Sequence, residues 1–349
     1  MKSKELNSKL LDQGSFGCVY YPGFTCKDKK TNKKIVSKLH ENNNNAINEY
    51  LNGITIKRKI KGYKRYFAPI ISRCNINLTT LKKELLEDCE PIKNYQNNNY
   101  VLLNMPYIKN ISFGKYIINK DAEEKIVIIS KSLIHCLIGI KKLLEIGIVH
   151  MDLKDDNILF NLDTGLPVII DFGISLQIEN IPKNLSKFFY VFGPDYYIWC
   201  IEIHCINYLV HKSSVFTETA IDEITYTYVE KNSALFHEKI KKTFIDKIRF
   251  YLKQFVGKSK KEIIDKCLES IHKWDLYSMS ILYIKVLNFL FKNSLLENKW
   301  LIEMYSILFN NISPNPDERH TIQETIDLIN NLNKKDYELN DMIKVMNHN

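Results

Sequence analysis

The sequence predicts an α+β fold, with a β-rich front followed by a larger helix-rich back. Three observations predict it. Short apolar runs near the start sit around glycine turns. From about residue 120 the apolar residues recur at three- and four-residue intervals. Polar loops mark the junction of the two patterns, and no internal repeat interrupts them. At 349 residues the chain fits one large domain or two lobes. With 45% hydrophobic and 26% charged residues it has the material for a sizeable core.

The elements follow in order. "LLDQGSFGCVYY" places a glycine turn between two strands, and "KKIVSKLH" reads as a further short strand. "ENNNNAINEYLNGITIKRKI" is a polar loop leading into a helix that Gly53 weakens. "FAPIIS" and "NNYVLLNMPYI" are strand candidates. "EEKIVIISKSLIHCLIGIKKLLEIG" has helical periodicity and stops at Gly147. Strand-like pieces in "IVHMDLKDDNILFN" and "LPVIIDFGIS" then bracket loops, and the pattern beyond residue 200 is almost entirely helical.

A formal net charge of +9 suits anionic partners, yet the lysines are scattered among asparagines as on ordinary solvated faces. This argues against a nucleic-acid-binding role. Eight cysteines lie far apart without a C-x-x-C pair or metal-ligand spacing, which predicts reduced thiols in a cytosol-like compartment. The first residues carry no apolar signal segment, and "SILYIKVLNFLF" is broken by Lys285 and too short to span a bilayer. The expectation is a cytoplasmic protein with no transmembrane segment.

Four pieces carry chemistry. In "DQGSFGCVY", Gly14 and Gly17 flank Ser15 and Phe16, and glycines there let backbone N–H groups approach phosphate oxygens. A tight hairpin with a bulge uses the same residues, and Asp12 stands where a three-glycine pattern has its first glycine. Lys38 lies on a core-directed strand, where an ammonium needs an anion. Glu49 on the following helix is the preferred partner and Glu41 the weaker one. An exposed edge-strand lysine would read the same way. In "HMDLKDDN", Asp152 is placed to accept or orient the proton of an attacking hydroxyl, and Lys154 to neutralise a transferring phosphoryl group. Asn157 and Asp171 offer oxygens to a hard cation, although an aspartate before Gly173 also suits a plain turn.

Taken together, and in this order, these motifs resemble a protein kinase. "GSFGCVY" is similar to the glycine-rich loop, "IVSK" to the third-strand lysine, "HMDLKDDN" to the catalytic loop and "DFG" to the metal-binding motif. The resemblance covers about residues 10–330 and is strongest over 147–175. It implies a bilobal protein-kinase-like fold: a small N-lobe over 1–107, a helical C-lobe over 108–335 and a polar tail over 336–349. It implies ATP contacts at Gly14, Ser15, Phe16, Gly17, Val19 and Lys38, and at Met105, Pro106 and Ile108 of a hinge-like segment. Mg²⁺ or Mn²⁺ falls to Asn157 and Asp171, and catalysis to Asp152, Lys154, Lys38 and Glu49. Structural roles fall to His150 and Gly173, to Asp275 in "HKWDLYS" and to Arg319 in "NPDERH". The partner of Arg319 is Glu202 in preference to Asp195; the usual Ala-Pro-Glu is absent.

Met151 stands where the family commonly has an arginine that grips a phosphorylated activation loop, so control through that pair is not expected. Lys154, two residues after Asp152, is typical of serine/threonine-directed members. About seventy residues separate "YYIWCIE" from "HKWDLYS", more than the motif order requires. This implies a helical insertion at about 206–270 that covers the back lobe or docks a partner. Composition and "YYIWCIE" resemble kinases of large DNA viruses, for which the location would be host cytoplasm or virion. The resemblance implies a serine/threonine kinase acting on protein substrates. A pseudokinase or scaffold is the alternative, and a small-molecule kinase of related fold the third reading.

Overall fold

The computed structural model describes residues 8–14, 17–27, 30–81, 83–92, 99–183, 185–189, 191–235, 238–291 and 298–347. The chain divides into two compact units. The first joins Met1–Ile111 to Asn157–Ser175, and the second joins Ser112–Asp156 to Leu176–Asn349.

The first unit is built on an antiparallel sheet of β1 (Lys9–Gly14), β2 (Gly17–Tyr21), β3 (Ile35–Glu41), β4 (Ser72–Ile76) and β5 (Tyr100–Pro106). Its order is β1-β2-β3-β5-β4. Strand residues alternate between faces, and here both faces are covered. Cys18, Tyr20, Leu39 and Leu102 pack with Ile76, Leu78, Leu86 and Ile92. Val101 and Leu103 face the other way and pack with Ala46 and Ile70. Ala46 belongs to α1 (Asn44–Lys59), which starts where the Asn43 side chain accepts the N–H groups of Asn45 and Ala46. Gly53, which weakens the helical pattern, has a packing reason. A Cβ there would lie 2.1 Å from the Ile70 carbonyl oxygen.

Two expectations need correction here. "FAPIIS" is not a strand: β4 begins only at Ser72, and Phe67 makes a single isolated bridge to Ile169. Pro69 offers no N–H for a ladder. Nor are all cysteines reduced thiols. Cys18 pairs with Cys89 and Cys26 with Cys74, with Cα atoms 5.9 and 5.7 Å apart. Sequence separations of 71 and 48 residues carry no local signal; the fold brings these thiols together. Cys136, Cys200, Cys205 and Cys267, all in the second unit, are free and buried.

The first unit is completed by strand Ile158–Asn161, which pairs with Leu166–Ile169 and Asn110–Ile111. Asn157 and Asp171 flank these strands.

The second unit is helical: α2 (Ala122–Glu145), α3 (Ile201–His211), α4 (Glu218–Lys231), α5 (Glu238–Lys253), α6 (Lys260–Leu268), α7 (Trp274–Leu290), α8 (Lys299–Asn311) and α9 (Ile322–Asn347). Asp121 caps α2 through the Glu124 N–H. Helix α7 is buried along most of its length and forms the centre of the unit. The segment at 206–270 is helical, and the apolar stripe of α5 (Phe244, Ile248, Tyr251, Leu252) is buried within the unit, leaving Phe250 exposed. Helix α9 extends through most of the residues expected as a polar tail. Among the described residues, no helix is long and apolar enough to cross a membrane.

Candidate active site

In the first unit, β1 and β2 form a tight hairpin in which Gly14 faces Gly17, with a register shift between Leu10 and Asp12. Ser15 and Phe16 lie outside the described residues. At Gly17 φ is +153°, and a Cβ would lie 2.1 Å from the Leu39 carbonyl oxygen, so only glycine fits this approach of backbone to backbone. Val19 pairs with Lys38 across β2 and β3, and Lys38 with Leu103 across β3 and β5. Leu103 packs in the cluster that contains Ala46 of α1, so Lys38 projects from the α1 side of the sheet.

There Lys38, only 8% exposed, meets its anions. Its ammonium lies 3.0 Å from Glu49 Oε2 and 3.4 Å from Asp171 Oδ2. Burial disfavours this charge, but Glu49 and Asp171 outweigh it and hold Lys38 protonated. One ammonium facing two carboxylates leaves negative charge in excess. Burial accordingly pushes the Glu49 carboxyl up to about 7, against the pull of Lys38. Glu41, the weaker candidate, lies at the exposed end of β3.

Asp171 has φ +60° and accepts the Gly173 N–H at 3.2 Å. Two side chains of α1 hold the same turn. Asn48 donates to the Gly173 and Ser175 carbonyls at 2.9 Å, and Asn52 donates to those of Phe172 and Ser175 at 3.2 Å. Sequence reasoning missed both; their only signal is the spacing that puts them on the helix face of Glu49. Asn157 is buried, and its carbonyl accepts the Ile170 N–H at 3.0 Å, which ties it to the residue before Asp171. Met105 and Pro106 end β5, pairing with Val36 and Ile35. Tyr107 follows, donating its N–H to the Lys34 carbonyl at 3.0 Å and stacking on Tyr21. The Ile108 carbonyl accepts from the Asn110 side chain at 2.8 Å.

In the second unit the loop after Val149 is held from below. The buried Asp275 carboxylate accepts the His150 N–H at 2.7 Å and the Met151 N–H at 3.0 Å. Burial raises the Asp275 carboxyl, while His150 and the two backbone bonds oppose the rise. Met151 has φ +71°, costly for a side chain of its size. Trp199 Nε1 donates to its carbonyl at 2.8 Å, so both sides of the residue are pinned. Met151 and Asp171 are the two non-glycine residues with positive φ among the described residues. Each sits in one of the two loops singled out for chemistry.

That geometry presents Asp152. Its N–H donates to His150 Nδ1 at 3.2 Å, and Lys154 Nζ lies 3.1 Å from its Oδ2. Its Oδ1 accepts the hydroxyl of Tyr196. Tyr196 and Trp199 belong to none of the chemistry-bearing motifs read from the sequence.

Farther along, Arg319 makes a two-pronged pair with Glu202 at 2.8 and 2.7 Å, and both side chains are fully buried. Ser270 donates to Glu202 at 2.9 Å. Of the two acids considered for Arg319, Glu202 makes the contact, while Asp195 is exposed.

These features agree with what the chain is similar to. The family described as protein kinase domain matches residues 6–326. The probable cell division control protein 7 homolog 2 of Encephalitozoon cuniculi is 33% identical over 81 residues, 23% of this chain and 22% of that protein. The nitrogen permease reactivator protein of Saccharomyces cerevisiae is 28% identical over 166 residues, 47% of this chain and 20% of that protein. The cell division cycle 7-related protein kinase of Homo sapiens is 26% identical over 94 residues, 27% of this chain and 16% of that protein. The matches thus span about a fifth of the length of these curated relatives. The solved structure of the PknI kinase domain of Mycobacterium tuberculosis aligns over 95% of this chain and 99% of its own, at 10% identity and a TM-score of 0.44. On the match that runs through nearly the whole sequence, the chain belongs to the protein kinase domain family.

Proposed function

We propose that this chain is an ATP-dependent protein kinase that transfers the γ-phosphate to serine or threonine hydroxyls of protein substrates. The observation that carries this reading is the Asp152–Lys154 pair, at 3.1 Å, on a loop whose backbone Asp275 holds fixed. Phosphoryl transfer asks a protein mainly for positioning and charge stabilisation. Asp152 orients the acceptor hydroxyl and takes up its proton as the oxygen–phosphorus bond forms, and ADP leaves with the oxygen of the broken bond. Lys154 balances charge on the moving phosphoryl group. Lys38 binds phosphate oxygens, and Glu49 keeps its ammonium in place. The glycine hairpin offers backbone N–H groups, and Ile108 an N–H to the base. The oxygen donors of Asn157 and Asp171 suit a hard divalent cation, Mg²⁺ or Mn²⁺, and would be the residues to hold it. When bound, that cation neutralises nucleotide charge.

Lys154, two residues after Asp152, supports serine/threonine direction. Met151, apolar and buried, supports control by some means other than an arginine–phosphate pair. The contact of Tyr196 with Asp152 favours a second reading, a nucleotide-binding scaffold without turnover. Labelled ATP with Mg²⁺ and a casein or basic protein substrate separates the two. Wild type should yield phosphoserine or phosphothreonine, and Asp152→Asn and Lys38→Met should not. ATP binding without transfer above the variants would favour the scaffold, and phosphotyrosine alone in the added substrate would overturn the serine/threonine assignment.

A further inference from the structure

The two disulfides of the first unit differ in how they are guarded. Cys18 and Cys89 are fully buried in the core on the sheet face away from α1. Cys26 and Cys74 are only half-buried. Exposed lysines stand beside Cys26: Lys27 follows it, and the Lys30 carbonyl closes the turn by accepting the Thr25 N–H at 2.9 Å. Thiol–disulfide exchange needs a thiolate to reach a bridge sulfur, so the half-buried bridge is the one open to solution thiols. Positive charge beside it draws an anionic thiol and favours the leaving thiolate.

This bridge fastens a covering segment to the back of the residues proposed to meet the nucleotide. Cys26 belongs to the connection over 22–34, whose own pairing is Gly23–Phe24 against Thr31–Asn32. A hairpin this short does not hold by itself. Ser37 and Asn104 seat it on the sheet. Ser37 Oγ accepts the Phe24 N–H at 2.7 Å and donates to Asn104 Oδ1 at 2.6 Å, and Asn104 Nδ2 donates to the Phe24 carbonyl at 2.9 Å. Both side chains are buried. They lie on the opposite sheet face from their chain neighbours Lys38 and Met105. The connection also flanks Tyr107, whose N–H donates to the Lys34 carbonyl and whose ring stacks on Tyr21. Lys38 and the segment over 105–108 are thus backed by a piece of chain that one accessible disulfide pins to β4 through Cys74.

We propose that Cys26–Cys74 is a reversible exchange site for small anionic thiols of the glutathione class, and that opening it weakens ATP binding by the first unit. The choice of ATP rests on the kinase reading above. In the reaction a thiolate attacks one bridge sulfur, the S–S bond breaks as a mixed disulfide forms, and the released cysteine takes a proton. A second thiol attacks the mixed disulfide. Two small thiols are thereby oxidised to one disulfide, and Cys26 and Cys74 together gain two electrons and two protons. The freed connection then rests on Ser37 and Asn104 alone, and the backing of Lys38 and Tyr107 loosens.

The test equilibrates the purified full chain in buffers of graded reduced-to-oxidised glutathione ratio. Differential alkylation with mass spectrometry reads each bridge, and calorimetry reads the affinity for ATP with Mg²⁺. Cys26–Cys74 should open at a lower ratio than Cys18–Cys89, and ATP affinity should fall several-fold in step with it while the thermal transition stays cooperative. The double variant Cys26→Ser, Cys74→Ser should show the weaker affinity under oxidising conditions and ignore the ratio while Cys18–Cys89 stays closed. If that variant does not fold, the wild-type titration decides alone. Cys18–Cys89 opening first, a Cys26–Cys74 bridge that stays closed throughout, or an affinity unchanged when it opens would overturn the proposal and leave the kinase reading standing. So would wild-type affinity in the folded double variant. No ATP binding at any ratio would overturn both.

Discussion

The Lys38 cluster and the Asp152 loop solve different problems. In the first unit, charged side chains are buried against one another, and their fit depends on balance: one ammonium, two carboxylates and a Glu49 carboxyl pushed up to about 7. In the second, backbone N–H groups converge on a single buried carboxylate, and rigidity comes from Asp275, Trp199 and the Glu202–Arg319 pair. The comparison separates a region tuned by charge, whose substitutions act mainly on nucleotide handling under the proposed function, from a region fixed by hydrogen bonds, whose substitutions act first on structure.

The largest stability effect belongs to the second region. Arg319→Met leaves Glu202 buried without its partner, and should cost about 3–5 kcal/mol in denaturant unfolding. Lys38→Met should cost less stability, because Glu49 can neutralise by taking a proton, yet should lower kcat by about 10²–10³ through the lost phosphate contact. Comparable stability losses for the two variants would erase the distinction.

The disulfides mark a second difference. They close long loops in the first unit, whereas the free cysteines of the second are buried. Thiol reduction should destabilise the first unit by about 2–4 kcal/mol per bridge and leave the second largely untouched. Hydrogen exchange resolved by segment would report this, and equal loss of protection in both units would count against it.

The smallest effects are in pH. The Glu49 carboxyl is raised on folding, so its contribution is complete below about 4.5 and is lost as pH rises through about 7. His204, fully buried, is lowered from 6.5 to about 3 by burial. Its contribution is complete above 6.5 and is lost as pH falls through about 3. Unfolding free energy measured against pH should therefore show opposite slopes, one flattened by Glu49→Gln and the other by His204→Phe. The wrong sign for either slope would refute the assignment.

The candidate residues of the proposed site were legible in the sequence because the motifs that resemble the family are short and have fixed spacing. Lys38, Asp152, Lys154 and Asp171 all lie in such motifs, and the structure shows only where their side chains sit. The choice of Glu49 over Glu41 was legible because a helix after the strand can return a carboxylate to it. What supports these residues was less so. Asn48 and Asn52 look like any other asparagines in an asparagine-rich stretch until α1 turns them toward the Phe172–Ser175 carbonyls. Cys18 and Cys89 meet only because the sheet and the 78–92 segment fold together. "FAPIIS" has a strand's composition, but Pro69 breaks the ladder. Tyr196 meets Asp152 through a turn whose geometry no periodicity encodes.

The central claim is that the Lys38 cluster handles the nucleotide while Asp152 acts on the acceptor hydroxyl. Asp152→Asn tests it most directly, with ATP affinity and phosphate transfer to a serine peptide measured on the same preparation. The account predicts ATP affinity near that of wild type and transfer lowered by about 10²–10⁴. Transfer at the wild-type rate, or loss of ATP binding with the fold intact, would contradict it.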